Sequence, residues 1–504
     1  MENHRVNLDR SLRNLLMDGV ASQIMFSLLT VSIISSYLVS INAPPVLIGL
    51  VAAIPYISQL VQIPSAVFAE RFSRKRVSLL ANMISRTSLL AIGVTLLINL
   101  HSEVVLFIAF FVIYNVFKEV STVPWSSWMR DLIPIHIRGE FYSKRIAYGK
   151  LAGLFVVLLF TALFNLIGKA TFSVLFLTAF AAGMVSLYFI KGIDDVEVEH
   201  RGRRSLAEPL KNSNFLKLTS ALSLWKFASE MAIPFFSVYV ITMLNYPVWV
   251  VIALASLSQL SSIYFLRISG RIMDRFGNKP VIALSFVSFS IAVLLFTFTT
   301  MPEKHPLTPL LLIMIYILDG FYSSVPPIAF MNVIAKITPR GSSASYYAVN
   351  NVLASVCAAT GSISGGLIAS FFLSTNFAVK LDIESTFGFL EIPAFHLESY
   401  DFLFLISSLL SLMAVKILRL FSEDNALSEE VVKNEIKHAV VRDVQSLMSY
   451  IHLPHMHSQL RFFNLNRFTN GAYHGLHGLP AQFESQIVMQ ESSMEGSLQK
   501  HYAR

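Results

Sequence analysis

Lys226 and Glu230 stand four residues apart, one helical turn, inside a stretch that is otherwise mostly apolar. Ser223 and Ser237 extend the same face. Lys118 and Glu119 occupy a second apolar stretch, where Asn115, Glu119 and Thr122 form one polar stripe at helical spacing. Asp319 lies in a third, with Ser323 about one turn on and a kink expected at Pro326-Pro327. An ionisable group at membrane depth costs roughly 2.5–3.5 kcal/mol, so each is a functional candidate by default. The chemistry they offer is polar recognition and proton exchange. Burial favours the protonated form of a carboxylate and a nearby lysine favours the ionised one, so Glu230 beside Lys226 can switch between paired and protonated states. Asp319 has no basic neighbour one turn away in its own helix and is a second proton-exchanging candidate. The alternative stays open that Lys226–Glu230 and Lys118–Glu119 are structural pairs that neutralise each other.

The elements that must position these groups are membrane helices. The chain has 504 residues, 54% hydrophobic and 14% charged, with mean hydropathy +0.60. A soluble chain of this length carries far more charge. Apolar runs predict twelve spans near 16–41, 46–70, 77–99, 103–125, 147–168, 171–191, 216–243, 248–268, 279–300, 307–335, 345–373 and 402–420. Lys and Arg concentrate in alternate loops, and the opposite loops hold only Lys169, Lys304 and Lys380, which places both termini in the cytoplasm. Topology therefore accounts for the net charge of +8 without nucleic acid. Asp18 stands at the cytoplasmic end of span one, and Arg86 in span three either snorkels or pairs with a neighbouring helix. Gln59 and Gln62 read as interhelical hydrogen bonders, and Gly149-x-x-x-Gly153 and Gly361-x-x-x-Gly365 as close-packing positions.

The chain repeats itself. Glu70-Arg71-Phe-Ser-Arg74-Lys75-Arg76 follows span two, and Asp274-Arg275-Phe-Gly277-Asn-Lys279 follows span eight, about 204 residues later. Arg138-Gly139 after span four is echoed by Arg340-Gly341 after span ten at nearly the same offset. Two echoes at one offset divide the chain into a cytoplasmic arm (1–15), a six-helix bundle (16–191), a cytoplasmic linker (192–215), a second six-helix bundle (216–420) and a cytoplasmic tail (421–504). Within the tail a helix is expected from Ser428, with Val432, Ile436, Val440 and Leu447 on one face; beyond about Tyr450 disorder is expected. The outer loop from Ser374 to Tyr400 is unusually long and mildly acidic.

Over about residues 10–420 these motifs resemble the major facilitator superfamily, in particular a prokaryotic branch. The family's loop between helices two and three reads roughly Gly-x-x-x-Asp-Arg-x-Gly-Arg-Lys. Gly270, Asp274, Arg275, Gly277 and Lys279 match it; in the first half Ala66 and Ser73 replace the glycines and Glu70 the aspartate. Trp125-Ser-Ser-Trp-Met-Arg130-Asp131 with Arg138-Gly139, and Pro234-Phe-Phe-Ser-Val-Tyr239, are similar to segments of that branch. The resemblance implies an all-α fold of two pseudo-symmetric bundles that alternates between inward-open and outward-open states. It also implies a cavity lined by helices one, four, seven and ten. Glu70, Arg71, Arg74, Gly270, Asp274, Arg275, Gly277 and Arg340 would then form a cytoplasmic latch, with Arg130, Asp131 and Arg138 as partners.

Several classes recede. No Gly-x-x-x-x-Gly-Lys-Ser/Thr phosphate loop is present, so an ion or solute gradient is the expected driving force. The single cysteine, Cys357, excludes disulfides and the usual zinc clusters. His452, His455 and His457 match no closed zinc site, and no nucleophile–base pairing can be placed, so neither a cofactor, a metal nor an enzyme is expected. The expectation is a monomeric, proton-coupled secondary transporter of a small polar or amphipathic solute in a bacterial cytoplasmic membrane. A drug or metabolite exporter on the same fold is the first rival; Leu151–Ala170 lacks the helix-five Gly-Pro-x-x-Gly-Gly motif of such exporters. A non-transporting sensor or scaffold acting through the tail is the second.

Overall fold

The structure, a computed structural model, describes residues 8–65, 73–98, 102–195, 208–300, 305–338, 343–385 and 388–423. The expected helix and histidines of the tail, Glu70, Arg71 and Arg340 lie outside the described residues.

Among the described residues eleven stretches are long and apolar enough to cross a bilayer. One of them, Lys144–Lys191, holds two helices, Ile135–Ile167 and Thr171–Lys191, so the chain makes twelve crossings. Several helices run past the apolar core. Span one begins at Leu8, span five at Ile135 and span eight continues to Phe276, because amphipathic turns extend each helix out of the hydrocarbon.

The pairings within the first half are spans three–four, one–five, one–six, three–six and two–four. Each recurs six spans later as nine–ten, seven–eleven, seven–twelve, nine–twelve and eight–ten. The sequence repeat is thus a repeat of packing. Small residues set the closest approaches. A Cβ on Gly361 or Gly365 of span eleven (Ser343–Phe371) would strike the Phe227 or Met231 carbonyl of span seven (Ser213–Thr242).

Each half closes on itself by the same device. In the first, Asn14 Nδ2 donates to the Gly192 carbonyl at 2.8 Å and Lys75 Nζ to the Ile193 carbonyl at 2.5 Å, which ties the end of span six to spans one and three. Ser73 Oγ donates to Asp195 Oδ2 at 2.9 Å. In the second, Asn214 Nδ2 donates to the Ser422 carbonyl at 2.9 Å and Lys279 Nζ to the Phe421 carbonyl at 2.5 Å. Glu423 then accepts the backbone N–H of Asn278 and Lys279, at 2.9 and 2.6 Å, and caps span nine (Lys279–Thr297). The lysine of the repeated loop motif is therefore a bundle-closing residue. The first residues of the linker, Gly192 to Asp195, belong to the bundle as well.

Span one is broken. Its inner part, Leu8–Leu28, packs on spans five and six, and its outer part, Val31–Ser40, packs on spans seven and eight of the other half. Thr30 between them is extended, with φ −71° and ψ 154°. The long outer loop forms a hairpin not anticipated from the sequence: β1 (Asn376–Ser385) pairs antiparallel with β2 (Gly388–Glu398), with a register shift at Val379/Lys380.

Candidate functional site

A cavity of about 1060 Å³ lies between the two halves. Its wall takes Tyr56 and Gln59 from span two, Ser126 and Arg130 from span four, Trp225, Lys226 and Glu230 from span seven, Tyr322 and Ser323 from span ten, and Tyr347, Asn350 and Ser355 from span eleven. All lie toward the face that carries the repeated loop motifs, so the cavity opens there. The expected lining by spans one, four, seven and ten is corrected. Span one contributes no lining residue; spans two and eleven do, because they form the seam on which the halves meet.

That seam seals the opposite face. Ser362 Oγ donates to the Gly49 carbonyl at 3.0 Å. A Cβ on Gly49 would lie 2.5 Å from the Ser362 carbonyl oxygen and 2.9 Å from Gly366 Cα. Deeper in, Ser355 Oγ bonds Gln59 Oε1 across the same two helices.

The cavity floor centres on Glu230. Its Oε1 accepts Lys226 Nζ at 2.6 Å, and its Oε2 is buried with no hydrogen-bond partner. Lys226 Nζ also lies 5.2 Å from the centroid of the Tyr56 ring, a cation–π contact. Helical spacing in span seven brings Lys226 and Glu230 together, and both line the cavity. The aromatic walls are braced by neighbouring rings, Phe286 and Phe289 from behind and Phe330 within the wall. Trp225 stacks on Phe286 at 5.0 Å, Tyr322 meets Phe289 edge-on at 5.1 Å, and Phe330 meets Tyr347 at 5.8 Å.

The other candidates are placed elsewhere. Glu119 is turned into its own half, where Gln62 Nε2 donates to it at 2.6 Å and Lys118 Nζ reaches it at 3.0 Å. Asn115 is buried and bonds the Phe111 carbonyl of its own helix. Thr122 is exposed and bonds the Lys118 carbonyl, so the stripe does not form one surface. Asp319 sits behind the wall and accepts Ser258 Oγ of span eight at 2.5 Å. Tyr322 stands beside it and within electrostatic reach of Glu230. The sequence reading therefore joined in one cavity groups that the fold separates into a floor and two flanking buried sites.

Among the described residues the loop motif makes a contact of the proposed latch through Arg74, within one half. Arg74 Nη1 of span three pairs with Asp131 Oδ2 of span four at 2.7 Å, and Arg130 Nε lies 3.6 Å from Asp131 Oδ1. Gly277 has φ 92°, a left-handed conformation that explains a glycine at this turn. Gly270 lies within span eight with open space where a Cβ would stand. The backbones of Arg138, Asp274 and Arg275 are helical, and their side chains lie outside the described residues.

One buried network was not anticipated. Arg145 of span five pairs with Asp18 at 2.9 Å and lies 4.9 Å from the Trp125 ring centroid. Asp18 also accepts Ser186 Oγ of span six, which in turn accepts Arg86 Nη2 at 3.0 Å. Arg86 thus pairs inside the bundle and does not snorkel. Arg145 follows Lys144 in a segment that reads as a basic loop, so the positive-inside pattern absorbed it.

Two pseudo-symmetric bundles around a polar cavity that opens to one face define a polytopic membrane transport protein. The chain belongs to the Major Facilitator Superfamily, whose family model matches residues 19–362 and 254–451. Among solved structures it is similar to a variant of the nucleoside transporter NupG, with 13% identity over 83% of this chain and 100% of that one and a TM-score of 0.64. It is similar to a bacterial homologue of the iron transporter ferroportin in its inward-facing state (11% identity, 82% and 98% covered, TM-score 0.60). It is also similar to a D-xylose–proton symporter (14% identity, 83% and 99% covered, TM-score 0.59). No curated protein matches the chain. The family is one of transporters and not of enzymes, and its members act on small molecules within a lipid membrane.

Proposed function

We propose that the chain is a proton-coupled secondary transporter that moves a small polar or amphipathic solute by alternating access. It would work in a bacterial cytoplasmic membrane with both termini in the cytoplasm, where the concentration of Lys and Arg in alternate loops places them. The cavity then opens inward, and the Gly49–Gly366 seam is the closed outer gate.

The observation that carries this reading is the state of Glu230. One oxygen is held by Lys226 at 2.6 Å while the other is buried without a donor. Glu230 is the one carboxylate among the described lining residues, and it faces both the cavity and Lys226, which makes it the coupling residue of the proposal. Loading of solute and of proton would thus meet at one residue. Asp319, beyond Tyr322, is the second proton site of the proposal. The similar structures named for a nucleoside and for D-xylose with protons support small-solute transport as the common task of this fold.

Arg74, Asp131 and Arg130, with Glu70, Arg71, Arg138, Asp274, Arg275 and Arg340, are proposed as the cytoplasmic latch of the outward-open state. In the cavity-open state described here Arg74–Asp131 remains made inside one half.

The test is a thermal-shift screen in detergent at two pH values across amino acids, peptides, sugars, nucleosides, organic acids, siderophores and cationic drugs. A ligand at a hundredfold excess over its Kd stabilises the fold by about 2.7 kcal/mol. A hit that is taken up by vesicles under an inward proton gradient, and no longer accumulated by Glu230→Gln, supports the proposal. Uptake indifferent to the proton gradient overturns the coupling.

A further inference from the structure

The charges of the cavity floor are spent on one another. Lys226 and Glu230 lie 2.6 Å apart, and the remaining charge on the wall, Arg130, is at the mouth, half exposed, and shares Asp131 with Arg74. Among the described residues of the floor the two charges cancel in the paired state, so a net-charged solute finds no full counter-charge there. What the floor does offer is neutral hydrogen bonding. Among the described lining residues Trp225 Nε1, Asn350 Oδ1 and Glu230 Oε2 are buried without a geometric hydrogen-bond partner, while Tyr322 turns its hydroxyl toward Asp319. They comprise one donor and two acceptors. Native structures rarely leave such atoms unsatisfied, and a cluster of them around one cavity calls for a partner with both donors and acceptors. The rest of the wall presents aromatic faces, held rigid by neighbouring rings. Rigid aromatic faces suit the C–H face of a saturated ring.

We infer that the cavity takes an uncharged, ring-shaped solute bearing several hydroxyl groups, bound with hydroxyls on Glu230 and Asn350 and its ring against Trp225 and Tyr322. This deepens the transport proposal and rests on it. A floor holding both a lysine and a carboxylate would suit a zwitterion only if the two were apart. Those two charges are already each other's partner.

The test is calorimetric titration of the full chain in detergent. D-glucose, D-xylose, D-ribose and uridine serve as uncharged hydroxylated rings, and L-glutamate, L-lysine, glycine betaine and tetraphenylphosphonium as charged probes. The expected result is saturable binding of at least one ring probe at millimolar concentration or below, and none of the charged set. Trp225→Phe removes the indole N–H and keeps the aromatic wall; Trp249→Phe makes the same change at an exposed tryptophan that does not line the cavity. The first should weaken binding about tenfold and the second less than about threefold, with both proteins folded. Tighter binding of a charged probe, or no binding by any ring probe, overturns the inference. Vesicle flux separates the two levels. Flux of a charged solute leaves transport standing and removes the solute class, whereas a ring probe that binds but never crosses removes transport and keeps the class.

Discussion

Glu230 takes Lys226 Nζ on one carboxylate oxygen at 2.6 Å and keeps the other buried with no donor. The pair is unequal, since Glu230 is almost wholly buried and Lys226 keeps 32% of its side chain exposed. Removing either partner should therefore have different costs. Lys226→Met strands a buried carboxylate and should destabilise the protein by about 2–3 kcal/mol, somewhat under the cost for a fully buried pair. Glu230→Gln leaves a lysine that can turn to cavity water and should cost less than about 1 kcal/mol. The double variant should recover most of the loss of Lys226→Met. Thermal unfolding in detergent checks all three, and equal losses in the two single variants would contradict the asymmetry.

The Asp18–Arg145 pair predicts a similar inequality inside the first bundle. Asp18 is 2% exposed and depends on Arg145, Ser186 and the nearby Arg86 for its charge. Arg145 has further support from the Leu15 carbonyl at 3.1 Å and the Trp125 ring. Arg145→Met should thus cost about 3 kcal/mol, as a buried carboxylate loses its main cation, and Asp18→Asn about half of that. Chemical unfolding of the two variants under one detergent condition decides the order.

These contrasts mark where the sequence was legible. The twelve spans, the repeat and the family resemblance follow from hydropathy and from motifs that lie next to each other in the chain. Lys226–Glu230 was legible for the same reason, being one helical turn apart. The long-range partners of Lys279, Glu119 and Asp18 are a carbonyl, an amide, a hydroxyl and a guanidinium group on other parts of the chain, from 57 to 168 residues away. No periodicity records such distances, so Glu119 and Asp319 read as cavity residues when they face inward within a bundle. Tyr56, Trp225, Tyr322 and Asn350 went unremarked because an aromatic or amide in an apolar span has no spacing that distinguishes wall from core. The hairpin between spans eleven and twelve was hidden in a loop read only for its length and charge.

Glu423 offers a pH-dependent handle outside the membrane. Burial alone would raise its pKa, but Asn278, the Lys279 backbone N–H and Lys336 together outweigh burial and hold it below the ordinary glutamate value. A carboxyl with a depressed folded-state pKa contributes stability that is present above its unfolded value, about 4.3, and is lost as pH falls through the lower folded value. The wild type should therefore lose thermal stability between about pH 5 and pH 3 more steeply than Glu423→Gln. Above about pH 6 the two curves should run parallel, with the variant lower throughout. Matching acid limbs would mean that the cap on span nine does not depend on ionised Glu423.

The seam at Gly49 makes the strongest claim about motion. Span two approaches span eleven so closely that a Cβ on Gly49 would sit 2.5 Å from the Ser362 carbonyl oxygen and 2.9 Å from Gly366 Cα, both backbone atoms that cannot turn aside. This contact seals the face away from the cavity mouth, so it must part if the two halves rock and the cavity opens the other way. A larger residue penalises only the sealed state. Gly49→Leu should raise its free energy by about 1–3 kcal/mol, the usual cost of overpacking, and shift the population roughly 5- to 150-fold toward the opposite state. Fold stability should change less, since each half keeps its own pairings. Spin labels at Ala43 and Leu373, in a chain whose single cysteine is replaced, would report the separation of the sealed ends of spans two and eleven. The distance distribution should move to longer values in Gly49→Leu and partly so in Gly49→Ala. An unchanged distribution in both would show that the helices accommodate the side chain within the closed state, and the seam would then be a packing contact without a gating role.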